Sequence, residues 1–449
     1  MHCRRQLNWA GTLRLGAVQL VLFLSMCLCV AGCAGGGPRL PVTPNLLQDG
    51  SGGQQLTKLP EADHKVEIPV LYVTDRVKYG QNGDWPLYGY DRSATVYFGT
   101  ASVGFKPMPT WDEMAQAAGT KKGGEWEMSV FSVKEMGKTV VSPASLEVRD
   151  GVIRFKPEIQ AALNEEKAGF QKLLSERLAA TPRKDVFLYV HGVANYFESP
   201  ILRSATMWHF MGREGVFVAY SWPAGRGGLL GYFYDRESGE FTVLNLKRVI
   251  KVIVATPGVE RLHIICHSRG NDIVTTALRE LNVEYTAKGE NAQKALKLQT
   301  LVMAAPDLDA QVFSTRLMFE NMAMIANQTV VYCSSKDKAV GLADKLFSSK
   351  NRLGTLSIEA ISADGKRLLD EIKRVEVVQC NVSGFGTSHD YSFTHPAAFS
   401  DLILVLRDGR KAGRENGRPL TPLGGVFWSL DNSYMMPTAP KAAAVAGSP

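Results

Sequence analysis

The chain has 449 residues, 45 % hydrophobic and 21 % charged, the balance of a folded globular protein, which excludes disorder of the whole. Its formal net charge of +7 is mild for this length and comes with no basic run, so nucleic acid is not an expected partner.

Residues 1–32 are of a different material. Arg4, Arg5 and Arg14 precede or flank the uncharged apolar stretch "LGAVQLVLFLSMCLCVAG", the pattern of a secretory signal peptide, with an uncleaved membrane anchor as the alternative. It ends in "VAGC", small residues directly before Cys33, which resembles the lipobox of bacterial lipoproteins. That resemblance implies cleavage before Cys33 and a lipid on its thiol. Ala34 and Gly35 follow Cys33 where an acidic residue would mark inner-membrane retention, so the expected place is the outer membrane, facing the periplasm. Removing residues 1–32 takes away three arginines and no acid and leaves a net charge of +4.

Residues 33–64 are rich in Gly, Pro, Ser and Gln without an apolar period and read as a flexible tether. A domain is expected over 65–432, and the tail 433–449 reads as disordered. The domain opens with a β-rich part, 65–156, whose strands are "IPVLYVT" (68–74), "ATVYFGTASVGF" (94–105), "MSVFSV" (128–133) and "GVIRF" (151–155). A helix is expected from 157 to Ala180. Short apolar strands then alternate with helical stretches: "DVFLYVHG" (185–192), "VFVAYSW" (216–222), "RLHIICH" (261–267), "LQTLVMAAP" (298–306), "QTVVYCSS" (328–335) and "RVEVVQC" (374–380), separated by helices at 199–214, 239–256, 271–282, 310–327 and 337–349. Strands apolar on both faces that alternate with helices predict an α/β fold, a mostly parallel sheet covered by helices.

Beyond the lipid-bearing thiol, Cys266, Cys333 and Cys380 each lie in an apolar run and read as buried thiols. No pair of cysteines has the spacing of a zinc site, and no cofactor is expected. "GRGGLLG" (225–231) fits neither phosphate-loop pattern and reads as a flexible loop at the site mouth. Trp222, Tyr232, Phe233 and Tyr234 around it read either as an acyl pocket or as ordinary packing, and Asp235-Arg236-Glu237 as an ion pair.

In a doubly wound sheet function gathers at the carboxyl ends of the strands. Just beyond "RLHIICH" stands Cys266-His267-Ser268-Arg269-Gly270, a nucleophile elbow in which small residues flank the serine by two positions because the strand-to-helix turn is tight. Cys266 replaces the usual Gly, and Gly270 matches. In this chain order an acid and then a histidine follow the serine. Only His389 and His395 come after Ser268. His389, in a Gly- and Ser-rich loop after the last strand, is preferred to His395 at a helix start. For the acid, Asp337 after the penultimate strand is preferred to Asp307, with a helix N-cap as its competing role. The oxyanion donors are expected to be the backbone N–H groups of Arg269 and, from the loop after "FLYV", of Val193.

The stretches "VLYVTDR", "FLYVHGVANYFESPILRSATMW", "VAYSWPAGRGGLLGYFYDRES", "GVERLHIICHSRGNDIVTTAL", "LVMAAPDLDAQVF", "VVYCSSKDKAV" and "SHDYSF" together resemble the α/β-hydrolase superfamily. More narrowly they resemble a bacterial family of α/β-hydrolase domains of unknown function, often exported. The resemblance implies that Ser268, Asp337 and His389 form a catalytic triad. The function expected is a membrane-anchored serine hydrolase cleaving a carboxylic ester or related acyl bond. The alternatives are a thioesterase, amidase or peptidase with the same triad, or a non-catalytic envelope scaffold on the same fold.

Overall fold

The computed structural model describes residues 38–120, 126–140, 143–318, 320–341, 352–384 and 389–435. Residues 1–32, expected to be a signal segment, and Cys33 lie outside them.

Thirteen strands are present among the described residues: β1 (Ile68–Asn82), β2 (Trp85–Lys106), β3 (Glu127–Val140), β4 (Leu146–Arg149), β5 (Val152–Phe155), β6 (Asp185–Val190), β7 (Val216–Ser221), β8 (Arg261–His267), β9 (Leu298–Ala304), β10 (Gln328–Cys333), β11 (Val375–Asn381), β12 (Thr421–Gly424) and β13 (Phe427–Asp431). Eleven of them form one sheet in the order β12-β13-β11-β10-β9-β8-β6-β7-β1-β2-β3. Every pairing from β13 across to β1 is parallel, whereas β2, β3 and β12 pair antiparallel at the edges. β4 and β5 form a separate hairpin.

The two faces of the sheet explain the continuous apolar runs. Along β6, Val186, Leu188 and Val190 enter one core and Phe187 and Tyr189 the other. The first core receives helices α1 (Pro157–Ala179), α2 (Gly228–Val254) and α3 (Gly270–Ala287) through residues such as Leu174, Ile250 and Leu278. The second receives α4 (Ser199–Phe210) and α5 (Pro396–Asp408) through Ile201, Phe210 and Phe399. Parallel strands buried on both sides by helices are the expected α/β architecture.

The expected tether is corrected from Pro38 onward. Leu40, Leu47 and Leu56 are buried in the second core, and a helix Ser51–Thr57 lies against the helix Trp111–Ala118. A Cβ at Gly52 would stand 2.0 Å from the Ala118 carbonyl oxygen, so the glycines that read as flexibility serve close helix contact. At its start Arg39 forms an antiparallel β-bridge with Glu127, at the amino end of β3. At the other terminus Tyr434, expected to be disordered, is buried and donates to Asp401 Oδ1 at 2.6 Å; residues 436–449 lie outside the described set. The expected helix 310–327 is broken into short turns, with Asn321 at φ +58°. The helix expected at 337–349 can be followed only to Gly341.

Candidate active site

Ser268 stands between β8 and α3 with φ +52°, the left-handed region that costs a non-glycine residue about 1–3 kcal/mol and persists only where surroundings fix it. They do so here. The Ser268 N–H donates to the Ala304 carbonyl at 3.0 Å, and Asn271 Nδ2 donates to the Ser268 carbonyl at 2.9 Å and to that of Ala304 at 3.2 Å. A Cβ at Gly270 would lie 2.5 and 2.6 Å from the carbonyl oxygens of His191 and Val190, so only glycine lets α3 start this close to β6. Cys266 is fully buried, its thiol 3.2 Å from the Val302 carbonyl; the small side chain keeps the turn intact where the usual glycine is missing. Cys266, Cys333 and Cys380 are free and buried.

At the end of β10, Asp337 divides its two carboxylate oxygens. Oδ1 accepts from the N–H groups of Ala339 and Val340 at 3.0 and 3.1 Å, the helix-capping role. Oδ2 accepts from His389 Nδ1 at 2.7 Å. Asp337 thus caps the helix and bonds to His389 at once, through Nδ1 of the imidazole rather than Nε2. Burial opposes charge on His389, but the charge and hydrogen bond of Asp337 outweigh it and raise the imidazole above its ordinary value.

Asp307, the other acid considered, is engaged elsewhere: Tyr232 donates to its Oδ2 at 2.6 Å and Arg352 pairs with its Oδ1. His395 caps α5, accepting from the Ala397 N–H at 3.2 Å. Asp307 reaches His389 through its charge, which adds to the rise of the imidazole.

His267 was not anticipated as a site residue. Its Nε2 lies 3.2 Å from the His389 carbonyl oxygen, and the two rings are 4.7 Å apart. Burial and the neighbouring His389 pull His267 down to about 4, so a neutral ring donates to that carbonyl and holds the histidine loop against the elbow.

The loop after β6 abuts the serine: a Cβ at Gly192 would lie 2.7 Å from Ser268 Cβ. Trp222, fully buried, stacks on His191 at 5.0 Å and donates to its carbonyl at 2.7 Å, which makes it packing for this loop rather than pocket lining. The N–H groups of Val193 and Arg269 donate to no acceptor among the described residues. Asp235 forms no ion pair with Arg236. It is buried, and its Oδ2 accepts from the N–H groups of Ala194 and Gly225 at 2.9 and 3.1 Å. "GRGGLLG" is helical from Gly228 on.

Two surface clefts of about 330 Å³ lie at the amino ends of the strands, one against Arg261 and Lys297 and the other against Lys373 and Val375. The polar constellation is at the opposite, carboxyl ends, where ligands of such sheets bind. No group of metal-ligating side chains occurs among the described residues, and no helix there is long and apolar enough to cross a membrane.

A family model described as alpha/beta hydrolase of unknown function (DUF900) matches residues 166–406. Among solved structures, an esterase of Pyrobaculum calidifontis is similar at 10 % identity and a TM-score of 0.27, over 57 % of this chain and 99 % of that one. A serine hydrolase of the polyaromatic-hydrocarbon-degrading bacterium Cycloclasticus zankles is similar at 10 % identity and a TM-score of 0.25, over 52 % and 92 %. A structure titled ESTFA, in an iron-lacking apo form, is similar at 11 % identity and a TM-score of 0.24, over 56 % and 97 %. No curated protein matches.

Proposed function

The chain belongs to the α/β-hydrolases of unknown function (DUF900) and has their fold, and from that premise we propose that it is a serine hydrolase of carboxylic esters or related acyl bonds, held at the periplasmic face of the outer membrane by a lipid on Cys33. The observation that carries the reading is the 2.7 Å bond from His389 to Asp337 at the strand ends beside Ser268, whose own backbone is held at φ +52°.

The chemistry follows from these groups. Ser268 Oγ bonds to the acyl carbon while its proton passes to His389 Nε2, and the displaced electron pair settles on the former carbonyl oxygen. Asp337 keeps the imidazole in the tautomer that can take that proton and stabilises the resulting cation. The N–H groups of Val193 and Arg269 receive the oxyanion. Collapse breaks the bond to the leaving group, which takes the proton from His389. Water then repeats both steps and frees Ser268.

A fluorophosphonate probe applied to the purified protein is expected to label it covalently, and Ser268→Ala to abolish labelling. Absence of labelling in the wild type, or equal labelling of the variant, overturns the reading. Cys33→Ser should move the protein from the membrane to the soluble fraction of the envelope.

A further inference from the structure

Among the described residues, three non-glycine residues at the carboxyl ends of the sheet have positive φ: Ala194 (+55°), Ser268 (+52°) and Ala305 (+44°). Ser268 is the elbow. Ala194 belongs to the loop after β6, and its strain needs a cause of its own.

That cause is visible in two buried side chains from distant parts of the chain. Arg76, on β1 and 1 % exposed, spreads its guanidinium over three segments. Nε donates to Ser221 Oγ at 2.9 Å, Nη1 to the carbonyls of Ala224 at 2.7 Å and Gly89 at 3.1 Å, and Nη2 to that of Asn195 at 2.9 Å. Nη2 also lies 3.5 Å from His191 Nε2. Asp235, on α2, holds the N–H of Ala194 from the other side and ties it to Gly225.

The route from these residues to the oxyanion is short. The Gly192 carbonyl accepts from His191 Nδ1 at 2.7 Å and from Asn195 Nδ2 at 3.3 Å. A trans peptide is planar with its C=O and N–H pointing in opposite directions, so fixing the Gly192 oxygen fixes the direction of the Val193 N–H. Arg76 touches both residues that hold that oxygen, and the next N–H along is the one Asp235 holds.

We infer that Arg76 and Asp235 are positioning residues that bracket the loop 191–195 and aim the Val193 N–H at the oxyanion formed on the acyl group attacked by Ser268. Neither touches the reacting atoms. Arg76 also places a buried positive charge behind the donor, in surroundings where charge is poorly screened. The inference rests on the serine-hydrolase reading above, and its distinctive consequence is a loss confined to the transition state.

The test uses the full mature chain, with p-nitrophenyl acetate as substrate and a trifluoromethyl ketone, whose adduct with Ser268 carries an oxyanion. Removing an oxyanion donor typically lowers kcat about 10²-fold or more, and Asp235→Ala is expected to lower kcat by about that factor with KM changed less than about threefold. The ketone should lose affinity in proportion. Asp235→Asn keeps an oxygen acceptor for both N–H groups and should recover activity to within about tenfold of wild type. Arg76→Lys keeps the charge without the fork and should fall between the two.

Asp185→Asn, a buried substitution at the far end of the sheet, controls for lost stability: matched for fall in Tm, it should keep kcat. The inference is overturned if folded Asp235→Ala keeps kcat within about threefold, if its loss lies in KM, or if Asp185→Asn loses as much kcat at equal Tm. Should Asp235→Ala not fold, an unchanged kcat and ketone affinity in Arg76→Lys overturns it. Failure of the underlying reading is separate, since it would appear in the wild type as neither turnover nor fluorophosphonate labelling.

Discussion

The sheet carries a buried aspartate bonded to a histidine at each end, and the two pairs do opposite things. At the amino end Asp185 Oδ2 meets His263 Nε2 at 3.2 Å, and the same carboxylate holds Arg183 and Arg261 at 2.5 and 2.7 Å. Burial, with Asp185 opposing it, lowers His263, and the His263 ring lies stacked between strands at 4.6 Å from Phe187. At the carboxyl end no arginine is seen to pair with Asp337 among the described residues. Its partners are two backbone N–H groups and His389, which is raised instead. Two arginines satisfy a carboxylate and leave its histidine little share of the charge, so the amino-end pair is a structural clasp. Neutral N–H donors leave the charge of Asp337 to act on His389, whose side chain keeps 21 % exposure. An Asp–His contact becomes useful for proton transfer when the carboxylate has no competing cation and the ring has a way out.

Exchanging one atom in each aspartate breaks the comparison most sharply. Asp337→Asn presents the wrong group to His389 Nδ1 and should lower kcat about 10⁴-fold, with the fold retained because the amide oxygen can still cap Ala339 and Val340. Asp185→Asn should leave kcat unchanged and cost about 3 kcal/mol or more, since it strands Arg183 and Arg261 against a neutral amide. Turnover and urea unfolding on both variants check this; a kcat loss in Asp185→Asn, or an unaltered kcat in Asp337→Asn, would erase the distinction.

The two ends should also separate along the pH axis. His389 works as a base only when neutral, and its raised value places the acidic limb of kcat/KM above about 6.5. In Asp337→Asn burial acts with far less opposition, so residual activity should persist to lower pH. For stability the signs reverse between the ends. The folded His389 value is raised, so its pairing contributes fully below about 6.5 and is lost as pH rises through the folded value. Asp185 is lowered in the folded state, burial being outweighed by His263 and the arginines. Its contribution is present above about 3.9 and lost as pH falls towards the folded value. Acid unfolding should therefore report the amino end and the pH–rate profile the carboxyl end; profiles that moved together in Asp185→Asn would contradict this.

What could be read in the sequence was whatever acts along the chain or at strand ends. Runs such as "DVFLYV" are apolar at every position because helices cover both faces, and they fixed the parallel sheet. Ser268, Asp337 and His389 each sit at the end of such a run, in an order the fold dictates, and the structure pairs the acid and base chosen. Asp337 illustrates why the competing cap was no argument against it: a carboxylate has two oxygens and here uses one for each task. Arg76 escaped notice and Asp235 was misassigned because their partners in the loop 191–195 lie 115 or more and 41 residues away, and nothing local marks a buried charge as buried. Asp235 in particular stands beside Arg236 and Glu237, where neighbourhood suggests an ion pair that burial and direction forbid. The segment from Pro38 to His64 was misread for a different reason. Its three buried leucines are too widely spaced to show a period, and Gly52 and Gly53 are there for contact with the Trp111–Ala118 helix.

The smallest expected effect concerns the one departure from the usual elbow. Cys266 has a single S–H, which can serve either the Val302 carbonyl at 3.2 Å or Asn271 Oδ1 at 3.1 Å, and burial keeps the thiol protonated. Cys266→Ala removes that weak donor and about one buried atom, a loss of about 1 kcal/mol. The strain at Ser268 is held by Asn271 Nδ2 and Gly270 rather than by sulfur, so the rate of fluorophosphonate labelling should stay within about twofold. Labelling slowed tenfold or more, with Tm nearly unchanged, would mean that the thiol orients Asn271 and through it the serine. Cys266 would then join the machinery of the carboxyl end rather than its packing.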